Sequence, residues 1–248
     1  MCAPFDSHPP IPAIAGAAVS HTHEELESRD GTRFAAFHAT PDSDGEKTAV
    51  VVLPDVRGLF GFYEELALRF AERGHPAIAI DYFGRTAGAS TRDEDFPYAE
   101  HVPLVTAEHV QMDVGAAVAH LREAGAPSVA TVGFCFGGRH SWLSAGGGHD
   151  LLAAVGFYGN PGERNGQPGP TELAGTFASP ILALMGGADA HITTDMVDEF
   201  DAALTRAGVS HEVVTYPGAP HSFFDRNEDQ FVDACADAWR RTLDFIER

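Results

Sequence analysis

Residues 132–138 read Val132-Gly133-Phe134-Cys135-Phe136-Gly137-Gly138. The pattern G-x-C-x-G is the thiol version of the G-x-S-x-G nucleophile elbow, a sharp turn that links a buried strand to a helix. Its context fits. Residues 128–134 form an apolar run of buried-strand type, and a helix is expected from Gly137. Such a turn holds its central residue in a strained backbone conformation, and the flanking glycines remove side chains that would clash. The central residue then stands at a helix N-terminus, where the positive end of the dipole favours a thiolate. With 26 Gly and three Cys in the chain, chance gives about 0.03 such matches. No G-x-S-x-G occurs to compete with it.

Outward from the elbow, strands alternate with helices. Residues 24–37 suit two short strands turning at Asp30-Gly31. Strands are expected at 48–53, 76–81, 151–158, 181–185 and 211–216. Helices are expected at 61–73, where Tyr63, Leu66, Ala67 and Phe70 share a face, and at 106–124, 193–207 and 229–246. Residues 82–104 read as a long polar loop. This alternation predicts an α/β fold with a mostly parallel central sheet flanked by helices on both faces. Residues 1–22, rich in Pro and Ala, read as an extended N-terminal arm, and 23–248 as one domain.

The balance of 16 Lys plus Arg against 36 Asp plus Glu gives a net charge of −20. So acidic a chain repels nucleic-acid phosphates and anionic lipid, so neither is expected as a partner. No stretch approaches the roughly 20 apolar residues of a membrane span, and the N-terminus lacks the basic start of a signal peptide. The expectation is a soluble cytoplasmic protein. Its oligomeric state is left open. Cys2, Cys135 and Cys235 form no CxxC pair or zinc knuckle. Cys235 falls on an apolar helix face with Phe231, Ala238, Trp239 and Ile246, as an inert core thiol would. The pair in His21-Thr22-His23 has no third ligand near it in sequence and reads as an exposed tail, so no metal is expected.

A nucleophilic thiol needs a base, and the base an orienting acid. In α/β-hydrolases these follow in the order nucleophile, acid, base. The strand at 181–185 runs into Gly186-Gly187-Ala188-Asp189. The strand at 211–216 runs into Pro217-Gly218-Ala219-Pro220-His221-Ser222-Phe223. Cys135, Asp189 and His221 therefore come in the right order, each in a loop after a strand. Asp225 is the rival acid but follows the histidine. Asp195 and Asp198 fall in a helix as solvated carboxylates. His191 is too close to Asp189, and His211 lies at the wrong end of its strand.

These residues resemble the dienelactone hydrolase (carboxymethylenebutenolidase) family of α/β-hydrolases, from about residue 24 to the C-terminus. The resemblance is carried by G-F-C-F-G-G at 133–138, G-G-A-D at 186–189 and P-G-A-P-H-S-F at 217–223, with L-P-D-V-R-G-L at 53–59 and I-D-Y-F-G-R at 80–85. It implies an acid that helps ionise the thiol, at Asp55, one methylene shorter than the usual Glu. It implies oxyanion-hole N–H groups at Val56 and Phe136. It implies arginines that grip a substrate carboxylate: Arg85 matches one, and Arg226 stands one residue beyond the place of the second, which is Asp225. Arg57 and Arg139 read as surface arginines. The implied activity is hydrolysis of a lactone or activated ester, the small-molecule substrate carrying a carboxylate, through a thioester and without cofactor or metal. An esterase or thioesterase of other acyl specificity on the same scaffold is the alternative, and a redox-sensing thiol protein the more distant one.

Overall fold

The computed structural model describes residues 4–42, 47–227 and 229–248; Cys2 lies outside them. The elements follow as β1 (Val19–Glu27), β2 (Arg33–Pro41), β3 (Ala49–Leu53), α1 (Gly61–Ala71), β4 (Ala77–Ile80), α2 (Gly84–Ala87), α3 (Tyr98–His101), α4 (Ala107–Glu123), β5 (Val129–Phe134), α5 (Phe136–Ser144), β6 (Ala153–Phe157), α6 (Pro170–Leu173), β7 (Ile181–Gly186), α7 (Thr194–Ala207), β8 (His211–Tyr216) and α8 (Val232–Ile246). One eight-stranded sheet has the order β1-β2-β4-β3-β5-β6-β7-β8. The β1–β2 and β2–β4 pairs are antiparallel, and the pairs from β4 to β8 are parallel. This is the α/β-hydrolase architecture.

The apolar runs explain the central strands. Every residue of β3, β4, β5, β6 and β7 is buried, because helices cover both faces and no side chain of such a strand reaches water. Alternate residues serve opposite layers. Val50 and Val52 share a core with Leu66 and Phe70 of α1 and Ala238 and Trp239 of α8. Val51 and Leu53 share another with Val110, Val114 and Leu121 of α4. Trp142 of α5 and Phe200 and Leu204 of α7 complete that second face.

Three expectations need correction. The first strand starts at Val19 and not near residue 24, since Val19–Glu27 pairs along its length with Arg33–Pro41. Its exposed edge is polar and shows little alternation, so periodicity underestimates it. The loop at 82–104 contains the short helices α2 and α3. His21 and His23 lie in this strand, their rings against Phe37, and do not form a tail. Residues 4–18 run along α1: Phe5 stacks near Phe60, Ile11 is buried, and the Ser7 hydroxyl donates to Asp225 at 2.6 Å.

Buried histidines give the fold an acid limit. Burial, with the neighbouring Arg139 guanidinium, pushes the His140 imidazole down to about 3, and burial also lowers His75 and His149. These rings stay neutral in the folded chain, while the unfolded chain takes up protons below about 6.5. The stabilisation is therefore complete above that pH and is lost as pH falls toward the folded values. His140 alone should cost about 2 kcal/mol at pH 5. The urea midpoint is expected to fall clearly between pH 7.5 and pH 5, and less so in His140→Gln; a flat midpoint over that range would refute the assignment.

Candidate active site

The elbow is built by close packing. A Cβ on Gly133 would lie 2.0 Å from the Gly137 carbonyl oxygen, and one on Gly137 would lie 2.1 and 2.3 Å from the carbonyl oxygens of Leu53 and Pro54. The two glycines of the motif are thus spaces that no side chain can fill. Gly137 also seats the start of α5 directly on the chain leaving β3, which carries Asp55 and Val56. Cys135 sits at φ 53°, ψ −111° as the residue before α5, a conformation sparsely used by non-glycine residues. Its N–H donates to the Phe157 carbonyl at 3.0 Å. It is partly exposed, whereas its neighbours in the strand are buried.

Asp189 and His221 meet across two laced loops. Gly187 N–H donates to the Tyr216 carbonyl and Ala188 N–H to the Ala219 carbonyl, both at 2.9 Å. His221 Nδ1 lies 2.6 Å from Asp189 Oδ2. Asp189 Oδ1 accepts the N–H groups of His191 and Ile192 at 2.8 and 3.1 Å. Burial opposes charge on this carboxyl, but His221 and the two N–H groups hold it below its ordinary range. The carboxylate that His221 Nδ1 faces is Asp189 and not Asp225. Asp225 is buried on the Ser7 hydroxyl and the Asn227 N–H. His211 bonds the Val209 carbonyl at the far end of β8, and Asp195 and Asp198 are exposed on α7.

Two arginines depart from expectation. Arg57 is buried, not on the surface. Its guanidinium forks onto Asp55, with Nε 3.0 Å from Oδ1 and Nη2 2.5 Å from Oδ2, and lies under the Phe5 and Phe60 rings. Asp55 is thereby held by a charge-assisted pair. Arg139 is also buried. It donates to the carbonyl oxygens of Asn160, Gly162 and Pro168 and so pins the loop after β6. Arg85 donates from Nη1 and Nε to Asp113 and Asp30 at 2.8 and 2.9 Å, and its Nη2 is buried without a hydrogen-bond partner. Arg226 is half exposed and pairs with Glu65 at 3.0 Å. Cys235 is buried, its thiol toward the Phe223 carbonyl.

Sequence reasoning passed over Tyr158. It directly follows β6 at φ 39°, its ring 5.0 Å from that of His221. Burial, followed by the proximity of Cys135, raises its hydroxyl well above the ordinary value, so it is a neutral hydrogen-bonding group beside the thiol. Ser222, next to His221, also has positive φ. Three strained non-glycine residues thus cluster at one sheet edge, the C-terminal end of the parallel strands where open α/β sheets place their sites.

Fold and edge together define an α/β-hydrolase. The family model for the dienelactone hydrolase family matches residues 34–248, and the chain belongs to that family of ester and lactone hydrolases. A carboxymethylenebutenolidase of Rhodococcus opacus is 29% identical over all of this chain and 97% of its own. The crystal structure of a Klebsiella pneumoniae protein assigned as a dienelactone hydrolase superposes with a TM-score of 0.82 at 31% identity, over 92% of this chain and 98% of that one. A dienelactone hydrolase-like promiscuous phosphotriesterase from metagenomic libraries gives 0.74 at 25% identity, over 93% and 98%.

Proposed function

We propose that this chain hydrolyses a lactone or activated ester with Cys135 as nucleophile, His221 as base and Asp189 as orienting acid. The observation that carries the reading is the partly exposed Cys135 at the tip of the elbow, on the same sheet edge as a His221 imidazole already bonded to Asp189. His221 takes the thiol proton, and Sγ attacks the acyl carbon. The N–H groups of Phe136 and Val56 receive the oxyanion. Phe136 suits this because it opens α5, and the first N–H groups of a helix have no intrahelical acceptor. The acyl C–O bond breaks, His221 returns the proton to the leaving oxygen, and a thioester remains on Cys135. Water then attacks, His221 accepts its proton, and the hydroxy or keto acid departs as the thiol is restored. A lactone or enol ester suits a thiolate because its oxygen leaves readily; an amide does not.

Asp55 is the thiol-activating acid in this reading. Both of its oxygens are occupied by the Arg57 guanidinium, so its part is electrostatic and proton transfer falls to His221. Arg85 is the group for a substrate carboxylate, through the Nη2 that Asp30 and Asp113 leave free. Arg226, facing Glu65, has a lesser part. A second reading has its own support: both arginines are already neutralised, and a net charge of −20 repels anions. It makes the preferred substrate a neutral ester or lactone.

One experiment addresses both. A panel of lactones and aryl esters, each as free carboxylate and as methyl ester, is turned over and then acid-quenched for mass spectrometry. The acyl mass is expected on the peptide containing Cys135, with a higher kcat/KM for the free acids. Preference for the methyl esters would select the second reading. Turnover with no label on Cys135 under burst conditions would overturn the thioester.

A further inference from the structure

We propose that Glu24, His38 and His120 form a binding site for a divalent zinc-class ion, remote from the catalytic edge. On the antiparallel β1–β2 pair Thr22 faces His38 and Glu24 faces Ala36. Glu24 and His38 are therefore diagonal neighbours on one face of the hairpin, and α4 packs on that face and brings His120. His21 and His23 fall on the opposite face, toward Phe37.

The three ligand atoms form a nearly equilateral triangle. Glu24 Oε1 lies 3.4 Å from His38 Nδ1 and 3.3 Å from His120 Nε2, and the two nitrogens are 3.4 Å apart. A hydrogen-bonded cluster would draw at least one edge in to about 2.8–3.0 Å. Glu24 Oε1 is instead buried with no hydrogen-bond partner, an arrangement a carboxylate oxygen adopts at high cost without a cation. Tetrahedral coordination at about 2.0–2.1 Å requires ligand atoms about 3.3–3.4 Å apart. Octahedral coordination at similar bond lengths requires about 3.0 Å. The observed edges match the tetrahedral case, and two imidazoles with one carboxylate are the donor set that favours zinc over magnesium or calcium. The side chains keep 24%, 13% and 30% exposure, so an ion can enter and water can supply the fourth ligand.

The site is separate from the hydrolytic machinery. β2 lies three strand positions from β5 in the sheet, about 14 Å at the usual strand spacing. A bound ion would clamp the N-terminal hairpin to α4, joining residues 14 and 82 positions apart in sequence.

The test uses the full chain carrying Cys135→Ala, so that the catalytic thiol cannot compete for metal. The protein is stripped with chelator and titrated with Zn²⁺ by calorimetry and with Co²⁺ by visible absorption. The expected result is one equivalent bound, intense tetrahedral Co²⁺ bands, and a Tm that rises with Zn²⁺. Adding His120→Gln or Glu24→Gln should weaken binding at least 10–100-fold, the range that loss of an outer-shell partner alone can produce, and abolish the Tm rise. Both residues are partly exposed, and circular dichroism of the metal-free variants checks their folding. Absence of saturable binding, weak octahedral Co²⁺ bands, or equal affinity in the folded variants would overturn the site.

Discussion

Cys135→Ala is expected to lower kcat/KM for the best lactone or ester by about 10⁴-fold or more, to a rate set by binding and the oxyanion hole alone. The size of the loss follows from the position of the thiol. It is the partly exposed group at the elbow tip, placed at a helix N-terminus by a backbone turn that its neighbours enforce. Cys135 N–H is tied to Phe157, and Gly133 and Gly137 lock the turn from both sides, so alanine leaves the scaffold in place. Cys135→Ser should retain the geometry and still lose most activity, because His221 must then ionise a hydroxyl of far higher pKa. Unchanged circular dichroism with activity lost in both variants is the expected pair of results. Activity within tenfold of wild type in folded Cys135→Ala would remove the nucleophile assignment.

The second large effect is expected from Asp189→Asn, a loss of about 10²–10⁴-fold in kcat. The asparagine amide can keep one oxygen on the N–H groups of His191 and Ile192 and so preserve the loop. It then presents NH₂ to His221 Nδ1, which favours the tautomer whose Nε2 carries the proton and cannot act as base. Because the Asp189 carboxyl is held below its ordinary range, it stays charged across the working pH range. The acid limb of the rate profile is then not the titration of Asp189 itself, and it should shift when Asp189 becomes neutral. A merely structural role for Asp189 would lower activity without moving that limb. Measuring kcat against pH for both proteins separates the two.

The pairing of Asp55 with Arg57 alters the usual picture of this edge. A lone acid beside the thiol would have both oxygens open to it; here the guanidinium of Arg57 takes both in a two-pronged hydrogen bond. The chain nonetheless keeps an arginine and a carboxylate buried together under two aromatic rings. Breaking such a pair by removing one partner is more costly than never having made it.

Much of the candidate active-site edge is legible in the sequence. The elbow is a local object: two glycines, one thiol and the change from a β to an α pattern lie within a few residues, and backbone sterics enforce their meaning. The order Cys135, Asp189, His221 follows from strands that end where apolar runs end, because parallel strands bring their following loops to one edge. The partners of charged groups could not be read this way. Arg57 and Arg139 look like surface residues because exposure is the usual state of arginine, and only the fold supplies the carboxylate or carbonyls that make burial tolerable. Arg85 was expected to face substrate, yet its nearest anions, Asp30 and Asp113, come from the β1–β2 turn and from α4. Glu24, His38 and His120 carry no common motif, and three elements had to dock before their ligand atoms could converge. Periodicity and turn chemistry act between neighbours and so were determined by the sequence itself. Which buried charge meets which depends on contacts between residues far apart in the chain, and only the tertiary structure decided it.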